Sequence, residues 1–212
     1  MSSVSMATIV IPIAAYLLGS IPFGLLFTRS FGGGDVRKSG SGNIGATNVA
    51  RVAGPLPALL TLFFDAAKGA VPVWLAARVT GESATWMMIA AVAALLGHCF
   101  PIWLKFRGGK GVATAAGAFV VLCPPAFLGS VILFLVVLFF WRYVSLASIS
   151  AAAAMPLLIY VLWAPHHAPP PVVTFGALAA AGIIIYKHDA NIQRLVEGEE
   201  SKFALGKKKD AS

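Results

Sequence analysis

Apolar runs of membrane-crossing length follow one another along almost the whole chain, and no other feature constrains the fold as much. They fall at about 6–28, 55–79, 84–104, 112–128, 130–147, 149–164 and 172–186. Each is close to the roughly 17 to 25 residues that carry an α-helix across a bilayer, the last two slightly short. With 58% hydrophobic and only 11% charged residues, the chain lies outside the range of soluble domains. It reads as an all-α polytopic membrane bundle of seven transmembrane helices, forming a single domain over residues 1–212 with a flexible basic tail at 205–212. Prolines in Cys123-Pro124-Pro125 and at Pro165, Pro169, Pro170 and Pro171 end or kink helices; merging runs across these breaks gives five spans as the alternative.

Lys and Arg accumulate in cytoplasmic loops, and here they sort by side. Arg29, Arg37, Lys38 and Arg51 follow the first run, Lys105, Arg107 and Lys110 the third, Arg142 the fifth, and Lys187, Arg194, Lys202, Lys207, Lys208 and Lys209 the last. The opposite side has Arg78. This places the N-terminus outside and the C-terminus in the cytoplasm. No Lys or Arg precedes the first run, so it is expected to stay as a helix, not to be cleaved as a signal. The net charge of +8 is scattered through short loops and offers no basic face to a nucleic acid. Cys99 and Cys123 belong to no C-x-x-C pair and should be free thiols, and no Cys/His cluster has metal-ligand spacing.

The polar segments gather on the cytoplasmic side. The longest, Arg37-Lys-Ser-Gly-Ser-Gly-Asn-Ile-Gly-Ala-Thr-Asn-Val-Ala-Arg51, combines Gly40, Gly42 and Gly45 with Ser39, Ser41, Asn43, Thr47 and Asn48 between cations, a composition suited to an anion. The second, Lys105-Phe-Arg-Gly108-Gly109-Lys110-Gly111, is not a Walker A motif, since Leu104 and Gly111 stand where that motif needs Gly and Ser or Thr. It still offers a lysine and backbone donors before a helix. The third, Lys187-His188-Asp-Ala-Asn191-Ile-Gln-Arg194, puts His188 and Asn191 on one helix face. Ser145 and Ser148 add hydroxyls at the same edge. Within the membrane, Asp65 and Lys68, three residues apart, are expected to form a structural ion pair. His98, in Gly97-His98-Cys99-Phe100-Pro101, is expected at a helix end whose carbonyl the proline frees. His166 and His167 receive no role.

Three motifs in this order, Ser-Gly-Ser-Gly-Asn-Ile-Gly-Ala-Thr-Asn, Gly-His-Cys-Phe-Pro with Phe-Arg-Gly-Gly-Lys-Gly-Val-Ala-Thr, and Lys-His-x-x-Asn-Ile, closely resemble the bacterial acyl-phosphate:glycerol-3-phosphate acyltransferases of the PlsY family. The resemblance spans nearly the whole chain. It implies an inner-membrane enzyme of phospholipid synthesis that moves a fatty acyl group from acyl phosphate to the 1-hydroxyl of sn-glycerol 3-phosphate, giving lysophosphatidic acid and inorganic phosphate. It places the family's essential serine at Ser41 and arginine at Arg51, the glycerol-phosphate loop at Gly108 to Gly111 with Lys110, the histidine and asparagine at His188 and Asn191, and a structural glutamate at Glu200, close to Glu197 and Glu199. No cofactor or metal is expected. Expected partners are acyl phosphate, glycerol 3-phosphate, membrane lipids and the enzyme that makes acyl phosphate, with no nucleic acid.

The residues fit that chemistry on their own terms. Acyl phosphate is already activated, so the site has to align two anions and stabilise developing charge. No histidine has Asp five residues on, and neither a Ser-His-Asp triad nor a nucleophile elbow is evident. The expected arrangement has Ser41, Asn43, Thr47 and loop N–H groups on acyl phosphate, and Arg51, Lys110, His188 and Asn191 on glycerol phosphate, without a protein general base. The alternative, a membrane anion or phosphate permease, should have its site near the midplane between inverted repeats, whereas these loops gather at one face.

Overall fold

The computed structural model describes residues 3–163 and 168–203; His166, His167 and the tail at 205–212 lie outside the described residues. Among the described residues ten α-helices follow in order: α1 (Ser3–Gly19), α2 (Phe23–Ser30), α3 (Ala46–Ala53), α4 (Pro55–Thr80), α5 (Ala84–Cys99), α6 (Val112–Leu122), α7 (Pro124–Trp141), α8 (Val144–Leu162), α9 (Pro171–Tyr186) and α10 (Asp189–Glu197). The described residues contain no strand, as expected of an all-α bundle in lipid, where a helix satisfies its own backbone.

Among the described residues five segments, the alternative number of spans, are long and apolar enough to cross a bilayer: Ile9–Ser30, Pro55–Thr80, Ala84–Leu104, Pro124–Trp141 and Val144–Leu162. Helices α9 and α10 qualify only as a pair bent by 57°. Helix α6, at 11 residues, is about 16 Å long, roughly half the hydrocarbon thickness. The expected run 112–128 stops at Leu122 because Pro124 disfavours a helical conformation for Cys123, which takes φ −149° and ψ 81°. Prolines are tolerated in a first turn, so α7 begins at Pro124 and continues to Trp141. The next helix starts at Val144, ahead of the expected 149, after Arg142 turns the chain with φ 62°.

Small residues bring the helices together. A Cβ on Gly69 would lie 1.9 Å from the Thr114 carbonyl oxygen and one on Gly117 1.9 Å from that of Ala66, so α4 and α6 touch backbone to backbone. Gly19 against Ala94 and Gly97 against Tyr16 do the same for α1 and α5. Bulky Phe63, Phe139 and Phe140 are exposed on the outside, the arrangement lipid favours. Both cysteines are free and buried.

The chain breaks at Pro22, between α1 and α2, where the Lys68 ammonium donates to the Ile21 carbonyl at 2.7 Å. Lys68 also pairs with Asp65 at 2.7 Å, so the intramembrane charges compensate one another as expected.

Backbone-level packing predicts a stability cost. Gly69→Ala and Gly117→Ala should each destabilise the detergent-solubilised protein by about 1–3 kcal/mol. Gly182→Ala, where a Cβ meets nothing within 4 Å, should leave the unfolding midpoint unchanged or slightly raised.

Candidate active site

The first polar segment is organised by one amide. Asn48, buried in the first turn of α3, donates through Nδ2 to the carbonyls of Val36 (3.1 Å), Ser39 (3.0 Å) and Asn43 (2.9 Å) and accepts the Ser41 N–H at 2.8 Å. These bonds hold the loop, and Asn48 also lines the cavity. Gly40 is required beside it: φ is +60° and a Cβ would lie 2.2 Å from Asn48 Oδ1. The Asn43 carboxamide oxygen accepts the Gly45 N–H at 2.8 Å, and the Gly42 N–H donates to the Ser39 carbonyl at 3.1 Å. Several loop N–H groups expected to face an anion therefore hold the loop itself. Side chains of Ser41, Thr47 and Arg51 remain, the last two one turn apart on α3. At the loop's entrance, hydrogen bonds from the Arg37 side chain to Asp35 at 2.9 and 2.6 Å hold that carboxyl far below its usual range.

The second loop differs from an open phosphate cradle for the same reason. Gly108 and Gly109 donate their N–H groups to the carbonyls of Cys99 (3.2 Å) and His98 (3.1 Å). Added Cβ atoms would strike the His98 carbonyl oxygen at 2.1 Å and its ring Nε2 at 2.2 Å. These glycines let the loop lie on the end of α5, and what it presents is the Lys110 side chain. Gly111, at φ +82°, turns the chain into α6. The carbonyl of His98 is used at the helix end as expected, while its buried ring faces Asp65, with Nδ1 3.7 Å from Oδ1.

Lys110 and the third motif meet. The Lys110 ammonium donates to Asn191 Oδ1. Asn191 Nδ2 donates to Glu200 Oε1 at 2.6 Å, as does the Ser145 hydroxyl at 2.7 Å, and Arg194 Nε lies 2.8 Å from Glu200 Oε2. Among the three neighbouring glutamates it is Glu200 that enters the site. Burial raises its pKa, but the bonds from Ser145, Arg194 and Asn191 outweigh that and leave it below the ordinary carboxylate value. Burial pushes Lys110 down to about 8, with Glu200 opposing and Arg194 and Arg51 reinforcing the shift. His188 donates through Nδ1 to the Ile184 carbonyl at 2.7 Å, so Nε2 is its free acceptor; burial is the main cause that takes it down to about 4. Ser148 donates to its own helix at Val144, 2.8 Å away.

Sequence reasoning did not assign Arg194 its ion pair, nor find the strap that delivers Glu200. The Phe203 N–H donates to the Arg142 carbonyl at 2.6 Å, and the Arg142 side chain donates back to the Phe203 carbonyl at 3.3 and 3.2 Å. Nothing in local periodicity links residues 61 apart; the spacing of Arg194 three after Asn191 was the one legible sign.

These groups border a single cavity of about 900 Å³. It is lined by Gly40, Ser41, Asn43, Gly45, Thr47, Asn48, Arg51, Lys110, Gly111, Ser145, Ser148, His188, Asn191, Arg194 and Glu200. Apolar Ala115, Phe119, Phe127, Val131, Phe134 and Met155 line the same cavity, as do Asp65 and His98. Ser39, Gly42, Gly108, Gly109 and Lys68 support these residues from outside the lining.

Fold and site together define a polytopic membrane protein with one cavity lined by cationic, polar and apolar side chains. The family model for glycerol-3-phosphate acyltransferases matches residues 9–198, and the chain belongs to that family. It is 50% identical over 191 residues to the glycerol-3-phosphate acyltransferase of Syntrophotalea carbinolica, covering 90% of this chain and 95% of that one. It is 48% identical over 189 residues to that of Trichlorobacter lovleyi, covering 89% and 94%. Among solved structures it is similar to the integral membrane glycerol 3-phosphate acyltransferase PlsY (YgiH). For the glycerol 3-phosphate form the TM-score is 0.85 at 40% identity, covering 92% of this chain and 94% of that one. For the lysophosphatidic acid form it is 0.82 at 39%, with the same coverage.

Asn48→Ala removes the four bonds that shape residues 36–45. It should cost about 1–3 kcal/mol for the groups left unpaired. Limited proteolysis between Lys38 and Asn43 should accelerate severalfold while the rest of the chain stays intact.

Proposed function

We propose that this protein transfers a fatty acyl group from acyl phosphate to the 1-hydroxyl of glycerol 3-phosphate, in a bacterial inner membrane with the cavity mouth facing the cytoplasm. One observation carries the reading: Arg51, Lys110, His188 and Asn191 line the same cavity as Ser41 and Thr47, together with apolar Phe119, Phe127, Val131 and Phe134. Two anions can be held there side by side, with the donor's chain along the apolar side chains. The family membership and the glycerol 3-phosphate and lysophosphatidic acid forms of its structural relative support glycerol 3-phosphate as the acceptor and lysophosphatidic acid as the product. The basic loops beside the mouth support the cytoplasmic side, and the enzyme that makes acyl phosphate is the expected supplier.

In this reading Arg51 and Lys110 hold the phosphate of glycerol 3-phosphate, and Asn191 and His188 Nε2 orient its hydroxyls. Ser41, Asn43, Thr47 and the first turn of α3 hold the donor's phosphate. The 1-hydroxyl oxygen attacks the acyl carbonyl carbon, the new ester C–O bond forms, and the bond from that carbon to the phosphate oxygen breaks with its electron pair leaving on phosphate. The hydroxyl proton goes to the same phosphate, which departs as inorganic phosphate. His188, held at about 4, is too weak a base to keep that proton near neutrality, whereas a phosphate with its second pKa near 6 is well matched. Substrate-assisted transfer therefore needs no protein base. A permease would need its polar groups near the midplane, and here most of them stand at one end.

Purified protein in detergent, given palmitoyl phosphate and labelled glycerol 3-phosphate, should form labelled lysophosphatidate with one phosphate released per turnover. No product with both substrates verified intact rejects the proposal. The charge on Lys110 sets the alkaline side of the profile. Because its folded value is lowered to about 8, the ammonium is present below that pH and lost above it. The kcat/KM for glycerol 3-phosphate should fall about tenfold per unit above it. Lys110→Arg should remove that limb while lowering turnover, whereas a limb that persists unchanged would exclude Lys110 as its source.

A further inference from the structure

The cavity wall carries charged and polar groups that the proposed reaction does not use. Asp65 and His98 both line the cavity; His98 Nδ1 is buried without a hydrogen-bond partner among the described residues, while Asp65 Oδ1 has the Lys68 ammonium at 2.7 Å. Asp65 is 2% and His98 4% exposed. A buried polar atom without a hydrogen bond is costly, and such groups inside a membrane are functional candidates.

Their connections run to the phosphate loop. Lys68 Nζ bonds the Ile21 carbonyl at the break between α1 and α2, and pairs with Asp65 at 2.7 Å. The same Asp65 oxygen lies 3.7 Å from His98 Nδ1. On its far side the imidazole supports Gly109, where a Cβ would fall 2.2 Å from Nε2, and the His98 carbonyl accepts the Gly109 N–H at 3.1 Å. Residue 98 thus holds Gly109 twice, by ring and by backbone. The next residue is Lys110, whose ammonium reaches Asn191.

We infer that Asp65 and His98 are positioning residues: the carboxylate, 3.7 Å from Nδ1, backs the imidazole on one side, and the imidazole sets the height of Gly109 on the other and so the place of the Lys110 ammonium in the cavity. This is a proposal about glycerol 3-phosphate binding that rests on the function proposed above. Asp65 here does more than neutralise Lys68. A neutral pair in place of that ion pair should keep the bundle folded and still misplace Lys110.

The test uses full-length protein in detergent, with His98→Ala and the double variant Asp65→Asn/Lys68→Met, which removes both buried charges together. Two readouts are taken. The first does not depend on the reaction: labelling of Lys110 by an amine-reactive ester, measured by peptide mass spectrometry, should rise severalfold in both variants while that of Lys105 stays constant. The second is kinetic: the KM for glycerol 3-phosphate should rise about tenfold, with the KM for palmitoyl phosphate within about twofold of wild type. Wild-type protein that makes no lysophosphatidate would fail the proposed function, while Lys110 labelling would still decide the positioning role. Unchanged Lys110 labelling in variants that elute as folded protein overturns the inference. So does an equal rise in both KM values, or loss of the folded elution profile in both variants, which would make Asp65, Lys68 and His98 a folding element only.

Discussion

Arg51, Lys110 and Arg194 are crowded around one cavity mouth, and the carboxylate of Glu200 is what lets them stay together. It accepts from Ser145, Asn191 and Arg194, and through Asn191 it fixes the amide oxygen that receives the Lys110 ammonium. Without it the cations would repel one another at low dielectric, and Asn191 would have no reason to keep its oxygen toward Lys110. The strap from Glu200 to Phe203, clasped to Arg142, brings that carboxylate across from α10 to α8. The mouth is in this sense assembled from the chain's last described residues.

The three polar segments were legible because serine, asparagine, glycine and cations interrupt otherwise continuous apolar sequence. Their meeting at one end followed from counting helices and charges. The count itself was less exact. Residues 112–141 are almost uniformly apolar, so hydropathy has no edge at which to divide them, and a proline's effect on Cys123 sets the boundary instead. The result is a short α6 tightly packed on α4, where Gly69 and Gly117 leave no room for side chains.

Other differences come from contacts that composition does not report. Gly108 and Gly109 suggest a cradle of free N–H groups, yet those groups are bonded to the end of α5. Asn48 has the chemistry of a ligand and serves as the scaffold that holds Ser41. Glycine permits a phosphate to approach, but it equally permits a helix end to approach, and only the partner's position decides between them. The same contacts fasten the polar loops through amides and carbonyls, leaving a few long side chains to line the cavity.

The central claim is that the two anions occupy opposite walls of this one mouth, with Lys110 and Arg51 on glycerol 3-phosphate and the Ser41 loop on the donor. A structure with glycerol 3-phosphate and a non-hydrolysable acyl phosphonate bound together tests it most directly. The account predicts the glycerol phosphate within hydrogen-bond distance of the Lys110 ammonium, the phosphonate at Ser41 and Thr47, and the chain between Phe119 and Met155. Exchanged positions, or a chain lying away from those two residues, would contradict it.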